Sequence, residues 1–186
     1  MRVQTNVLPA SEDAIAVAAQ VLAEGGLVAF STDTVYGVGA HAFQPKAVEC
    51  IYVAKIRPRA KAIPILLARA EDLSLVTERI TETAQLLAER FWPGGLTLVL
   101  PKKASVPDVV SAGGPTIAVR VPDHPVVQAL ISALGAPLAA TSANLSGHPS
   151  PVTAREVQAQ LRGRIELILD GGQCPGGVPS TVLDMT

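Results

Sequence analysis

Four of the chain's 15 lysines and arginines fall within seven residues, Lys55-Ile56-Arg57-Pro58-Arg59-Ala60-Lys61. Cations this close repel one another unless an anion sits among them. In a continuous helix Lys55 and Arg57 would point to different faces, but Pro58 disfavours helical geometry at Arg57. Extended backbone there can turn several cations toward one anion, and a polyphosphate is the anion that needs them. A solvated helix end, its cations complementing the C-terminal dipole, is the competing account.

Three other segments collect hydroxyls, amides and glycines. The first, Ser31-Thr32-Asp33-Thr34-Val35-Tyr36-Gly37-Val38-Gly39, follows a short apolar run. Ligands of α/β sheets bind there, outside the carboxyl ends of strands, although an ordinary turn uses the same residue types. The second, Thr141-Ser142-Ala143-Asn144-Leu145-Ser146-Gly147, also follows an apolar run. Extended backbone would set Ser142 and Asn144 on one face, where a hydroxyl and an amide can read a nucleotide or orient a phosphate. A polar loop fits that segment equally well. In the third, Gly176 and Gly177 precede Val178-Pro179-Ser180-Thr181-Val182 and permit close backbone approach to a ligand. A hairpin or bulge would use them too. The Walker A loop, the dinucleotide-binding glycine pattern, the zinc-protease helix and the nucleophile elbow are all missing. His41, His124 and His148 lack metal-ligand spacing, so no metal site is expected.

Helices and strands alternate around these segments. Ser11 can cap a helix that runs to Glu24, and Leu27–Phe30 suits a buried strand. Ser31–Gly39 reads as a polar turn, and Pro45 can open a helix reaching Ile56. Ile63–Leu67 reads as a strand, and Glu78–Trp92 as an amphipathic helix ended by Pro93-Gly94-Gly95. Leu96–Leu100 and Thr116–Val121 are strands; Asp123 caps a helix to Leu134; Pro137–Ala140 is a strand. Thr153 and Glu156 make a capping box for a helix to Arg162, before strands at Ile165–Leu169 and Thr181–Leu183. This order predicts an α/β fold with helices packed around one sheet. The strands read as apolar runs without period-two alternation, which predicts cover on both faces.

Composition narrows the function. The 186 residues are 48% hydrophobic and 17% charged, with 15 basic against 16 acidic side chains. Residues 1–186 are therefore expected to form a single domain with a substantial core. Global basicity, the usual mark of a nucleic-acid binder, is missing. One Trp, two Tyr and three Phe are too few to grip single-stranded nucleic acid by stacking. Cys50 and Cys174 lie far apart and acidic Glu12 and Asp13 precede the first apolar stretch, so a cytoplasmic protein without a signal peptide is expected. Pro125–Gly147 carries no charge, but Gly135, Pro137 and its polar second half argue against a membrane span.

Taken together, the segments resemble the YrdC-like family of threonylcarbamoyl-AMP synthases. The resemblance is carried by TDTVYG at Thr32–Gly37, KIR at Lys55–Arg57, TIAVRVP at Thr116–Pro122, TSANLSG at Thr141–Gly147 and STVLD at Ser180–Asp184. The motifs stand in the family's order and cover most of the chain. The short, single-domain form is expected, because the chain stops at Thr186 soon after the last motif. The resemblance implies a twisted α/β fold with a concave, basic cavity. It also implies synthesis of threonylcarbamoyl-adenylate and pyrophosphate from ATP, bicarbonate and L-threonine, with magnesium on the nucleotide. Other proteins would then pass the threonylcarbamoyl group to an adenosine of tRNA.

Carried over residue by residue, Lys55, Arg57 and Lys61 would hold the ATP phosphates, with Lys55 and Arg57 supporting catalysis. Thr116, Ser142, Asn144 and Ser150 would bind the nucleotide, and Thr34, Arg120, Ala140 and Ser180 the threonine. Leu66 stands where many relatives have His near the threonine, and Ser31, Val38 and Ala62 replace the more usual Pro, Leu and Pro. A further Arg-containing strand that usually follows the last motif is not in the sequence. Two other functions compete: an RNA-binding or ribosome-maturation module that reads tRNA or double-stranded RNA through its phosphates, and a carbamoyl-transfer domain like that of hydrogenase-maturation proteins.

Overall fold

The computed structural model describes residues 3–176 and 180–186. Near the N-terminus β1 (Asn6–Pro9) leads into α1 (Glu12–Ala23), whose first turn is capped by the Ser11 hydroxyl accepting from the Ala14 N–H. Next come β2 (Val28–Phe30), β3 (Gly37–His41) and α2 (Pro45–Lys55), which starts on a proline. After β4 (Ile65–Leu66) and a 3₁₀ turn at Ala70–Leu75 come α3 (Glu82–Phe91), β5 (Leu96–Pro101) and β6 (Thr116–Arg120). The chain continues through α4 (Pro125–Leu134), β7 (Leu138–Ser142), α5 (Ala154–Leu161), β8 (Leu167–Asp170) and β9 (Thr181–Asp184). The capping box at Thr153 and Glu156 forms as the sequence predicts.

Several expectations about individual elements need correction. His124, not Asp123, caps α4, its Nδ1 accepting from the Val126 N–H. The segment read as a turn through Gly39 contains β3, which pairs antiparallel with both β2 and β7. The helix expected from Glu78 begins only at Glu82, because Thr81 supplies the cap. The strand expected to stop at Ala140 runs on to Ser142, since Gly37 pairs with Ser142 in β3.

All nine of these strands join one mixed sheet in the order β1-β8-β2-β3-β7-β4-β6-β5-β9. One face carries Val38, Ala40, Ile65, Ala139, Ile117, Val119 and Leu98, buried in the larger core with residues of α2, α3 and α5. The other carries Phe30, Leu66, Leu138, Ala140 and Leu169 under α1 and α4. Residues in register point to the same side of a sheet, so Arg120 shares the face of its partner Leu66. Along β6, half-exposed Thr116 and Ala118 alternate with buried Ile117 and Val119. This overturns the reading of two covered faces. The cover provided by α1 and α4 stops short of β6, and a strand with one open face must alternate.

Candidate active site

The open face of β6 borders a cavity of about 180 Å³, whose walls include Thr34, Leu66, Thr97, Arg120, Ala140, Ser142 and Ser180. These residues come from six separate stretches of chain. The hydroxyl-rich loop after β2 is held rigid by its own atoms. Thr32 Oγ1 donates to the Val35 carbonyl at 2.6 Å and accepts from the Thr34 N–H at 3.1 Å. Tyr36, wholly buried, shares its hydroxyl proton between the Gly172 carbonyl at 2.7 Å and Asp170 Oδ1 at 3.1 Å. Burial, reinforced by Asp170, raises that phenol far above its ordinary value, so it stays a donor. The Gly176 N–H donates to the Thr34 carbonyl at 2.8 Å, fixing the segment after β8 to the same loop.

Arg120 is 8% exposed, and a buried guanidinium needs a counter-charge. Asp33 supplies it: Nη2 donates to Asp33 Oδ2 at 2.5 Å, and Nε donates to the Gly94 carbonyl at 2.8 Å. Both bonds use one side of the fork. Its other N–H donors remain for the cavity that Arg120 lines. Beside it, the Thr97 and Ser180 hydroxyls lie 2.9 Å apart, so one proton links them and the other is free for a ligand. Leu66, 9% exposed, contributes an apolar wall.

The cationic segment is built differently. Helix α2 ends because Ile56 takes a left-handed backbone, φ 53°, and the Arg57 N–H closes back on the Tyr52 carbonyl. That is the position where helices favour glycine, and here it carries a β-branched side chain that is 66% exposed. Lys55 is 1% exposed. Its ammonium donates to the Asn144 carbonyl at 2.5 Å and to the Ser142 carbonyl, with Asn144 Oδ1 at 3.5 Å. Burial, aided by nearby Arg57, pulls its pKa down to about 8. Arg57 donates to the Lys61 and Ala62 carbonyls at 3.2 and 2.8 Å. Arg59 turns away toward Glu49, 3.3 Å distant on the surface.

The nucleotide-side residues are thus only partly gathered. Ser142 lines the cavity and donates to Asn144 Oδ1 at 2.5 Å, while the Asn144 amide donates to the Leu145 and His148 carbonyls. Thr116 lies on the face of Arg120 at the other end of β6, about 13 Å along the strand. Lys61 and Ser150 are exposed and stand outside the cavity lining. Gly177, Val178 and Pro179, singled out as a ligand-approach segment, lie outside the described residues. Asp33 and Thr97 were not identified from sequence. Asp33 sat in plain view between Thr32 and Thr34, whereas Thr97 stands in an apolar strand with no motif around it. The counter-charge of Arg120 thus comes from a residue 87 positions earlier in the chain.

Residues 20–186 match the Sua5/YciO/YrdC family model, described as telomere recombination. The chain is 49% identical over 172 residues to the threonylcarbamoyl-AMP synthase of Pyrococcus abyssi, covering 92% of this chain and 51% of that protein. It is 48% identical over 180 residues to the threonylcarbamoyl-AMP synthase of Bacillus subtilis, covering 96% and 52%. The crystal structure of P. abyssi Sua5 complexed with L-threonine superposes with a TM-score of 0.92 at 45% identity, covering 100% of this chain and 54% of that one. The chain spans about half the length of these relatives. An α/β chain with this family match over nearly all its length belongs to the Sua5/YciO/YrdC family.

Proposed function

We propose that the chain makes threonylcarbamoyl-adenylate from L-threonine, bicarbonate and ATP, acting as a nucleotidyltransferase that releases pyrophosphate. The observation that carries this reading is the convergence of Thr34, Arg120, Ala140 and Ser180 on one small cavity beside Ser142. The threonine carboxylate meets the free side of the Arg120 fork, a pairing that suits a planar guanidinium. Its hydroxyl finds the Thr34 and Ser180 hydroxyls, and its α-carbon lies against Ala140. From there the open face of β6 leads toward Thr116, and the nucleotide would lie between that face and Ser142 and Asn144.

The threonine amine adds bicarbonate with loss of water, giving a carbamate. One carbamate oxygen then attacks the α-phosphorus of ATP; the new O–P bond forms as the bond to pyrophosphate breaks. No protein nucleophile is required. The protein holds the two reactants in line and places positive charge where negative charge gathers. Lys55 and Arg57 supply that charge, and Lys61 with Ser150 serve the outer phosphates and the nucleotide. Binding would require Lys55 to exchange a carbonyl for a phosphate oxygen.

Among the described residues the cavity lining contains hydroxyls, carbonyls and an arginine but no carboxylate. The nearest acid, Asp33, is engaged by Arg120. Magnesium therefore travels on the phosphates with water as its remaining ligands, and no residue here is assigned to it. The adenylate is a mixed anhydride, so a partner of the tRNA threonylcarbamoyl-transfer machinery must collect it, in the cytoplasm where tRNA and ATP are found. Among the described residues no helix is long and apolar enough to cross a membrane.

Incubation with ATP, bicarbonate and L-threonine, and with each omitted in turn, tests the reading. Pyrophosphate release that depends on all three is expected. Release driven by carbamoyl phosphate without threonine, or salt-sensitive RNA binding without turnover, would replace it.

A further inference from the structure

The Arg120 guanidinium is tied on one side only. Its Nε reaches the Gly94 carbonyl at 2.8 Å and its Nη2 reaches Asp33 Oδ2 at 2.5 Å. Asp33 is engaged through one oxygen: Oδ2 holds Arg120, and Oδ1, buried, has no partner among the described residues. A buried ion pair repays its desolvation only when its remaining lone pairs are also hydrogen-bonded, so this pair is held at a cost in stability.

Asp33 also sits between Thr32, whose hydroxyl closes the turn, and Thr34, whose side chain lines the cavity. One rigid turn thus presents a hydroxyl to the cavity and an anchor to the arginine behind it. The anchor matters because a long side chain with five N–H donors binds a carboxylate well only if its plane is fixed beforehand. Here Gly94, just after α3, and Asp33, just after β2, fix that plane from two different elements.

We infer that Asp33 is the positioning residue for amino-acid recognition: it orients the Arg120 guanidinium so that its free edge faces the substrate carboxylate. The inference rests on the proposed threonine site and deepens it. Asp33 touches no substrate; it acts through Arg120. A free carboxylate beside the site would also repel the substrate's own, and pairing with Arg120 removes that cost.

The test is a double-mutant cycle on the full chain, read by calorimetric binding of L-threonine and, separately, of ATP. Losing one charge-assisted bond weakens binding roughly 10- to 150-fold. Asp33→Asn should raise the threonine Kd at least about 10-fold while the ATP Kd moves less than about 3-fold. In an Arg120→Gln background the same Asp33→Asn change should add less than about 3-fold, because the residue it acts through is gone. Asp33→Glu, which keeps the charge, should recover part of the loss. Threonine binding unchanged in Asp33→Asn overturns the inference, and so does an equal loss for threonine and ATP. Additive losses in the double variant overturn it too, since they would mark a general structural role. Should Asp33→Asn fail to fold, Asp33→Glu alone decides: threonine affinity must fall more than ATP affinity, or the inference is wrong. If the unmodified chain binds no threonine, the functional reading itself falls, which is a different result from any of these.

Discussion

The two ends of the proposed site are held by opposite strategies. At the amino-acid end, Arg120 is clamped by Asp33 and Gly94, and the Thr97 and Ser180 hydroxyls brace one another. Its arginine is braced in advance from two elements, with donors left over for a ligand. At the phosphate end, one cation is buried and spends its donors on the Ser142 and Asn144 carbonyls, while Arg57 caps its own loop and Lys61 stands in solvent. Small, uncrowded recognition of a carboxylate rewards preorganisation. A triphosphate brings several charges of its own and can recruit cations that were engaged elsewhere. The difference predicts that the threonine end is fixed before ligand arrives and the ATP end is completed by it.

The sharpest way to break that contrast is to compare Lys55 with Arg57. Lys55→Ala should abolish measurable turnover and also destabilise the fold by about 3 kcal/mol, since it opens a void and strands two carbonyls. Arg57→Ala should cost turnover roughly 10- to 150-fold with little loss of stability, because its present partners are loop carbonyls near solvent. Chemical denaturation alongside pyrophosphate release measures both. Equal stability losses would erase the distinction drawn between buried and loop cations.

Arg120→Gln probes the other end. Threonine affinity should fall roughly 10- to 150-fold with ATP affinity nearly constant, and stability should drop by about 1–3 kcal/mol as Asp33 is left buried without its partner. A parallel loss of both affinities would mean that the two ends are one rigid unit after all.

The lowered pKa of Lys55, about 8 by burial and Arg57, gives the phosphate end its own pH signature. Above pH 8 the nucleotide-free protein loses that charge, so ATP affinity should fall by up to about tenfold per pH unit. Stability should move the opposite way. Between pH 8 and 10.5 the unfolded chain keeps a proton on Lys55 that the native chain has released, so unfolding becomes harder as pH rises. Below pH 8 both states hold the proton and the burial cost is felt in full. Titrating ATP against the protein from pH 7 to 9.5, with melts at each pH, checks both signs.

Leu66 offers a smaller change in specificity. It lines the cavity and pairs in register with Arg120, so a polar side chain there would stand beside the substrate. Leu66→His should improve preference for threonine over valine by about 10-fold, the gain expected when a site acquires a bond to a hydroxyl. An unchanged preference would make Leu66 a packing residue only. The smallest effect is expected at Ile56, whose left-handed backbone costs about 1 kcal/mol that glycine would not. Ile56→Gly should raise stability by about that much, and a fall instead would show that its exposed side chain has a partner on the molecule.

Much of this was readable from the chain because local rules and tertiary structure agreed. Ser11, Pro45 and Thr153 open their helices where capping chemistry places them. The turn at Ile56 was predicted from Pro58 by the right logic but one residue late, since the left-handed cap does the stopping. β3 was missed because Gly-Val-Gly-Ala-His has weak strand propensity. It forms a strand because its neighbours require one, and its glycines leave room for Phe30: a Cβ on Gly37 would meet that ring at 2.9 Å. β1 is four residues ending in proline, below what periodicity can reveal. The hydroxyl-rich and cationic segments stand out locally, but the pairing of Asp33 with Arg120 spans 87 residues and no local pattern encodes it.

Strand β9 carries a consequence in time. Its residues are exposed, yet Ser180 immediately before it forms part of the amino-acid wall. β9 docks in parallel on β5, with Thr181 opposite Leu96, so this edge joins parts of the chain made far apart. Long-range parallel pairing forms slowly, and a strand with so little burial opens well below the energy of global unfolding. The threonine wall should therefore be the last part of the protein to assemble and the first to come undone. Amide hydrogens of Thr181 to Asp184 should exchange orders of magnitude faster than those of β7, and threonine should slow them. In the life of each molecule, the proposed capacity to recognise an amino acid would come and go many times while the fold itself stays intact.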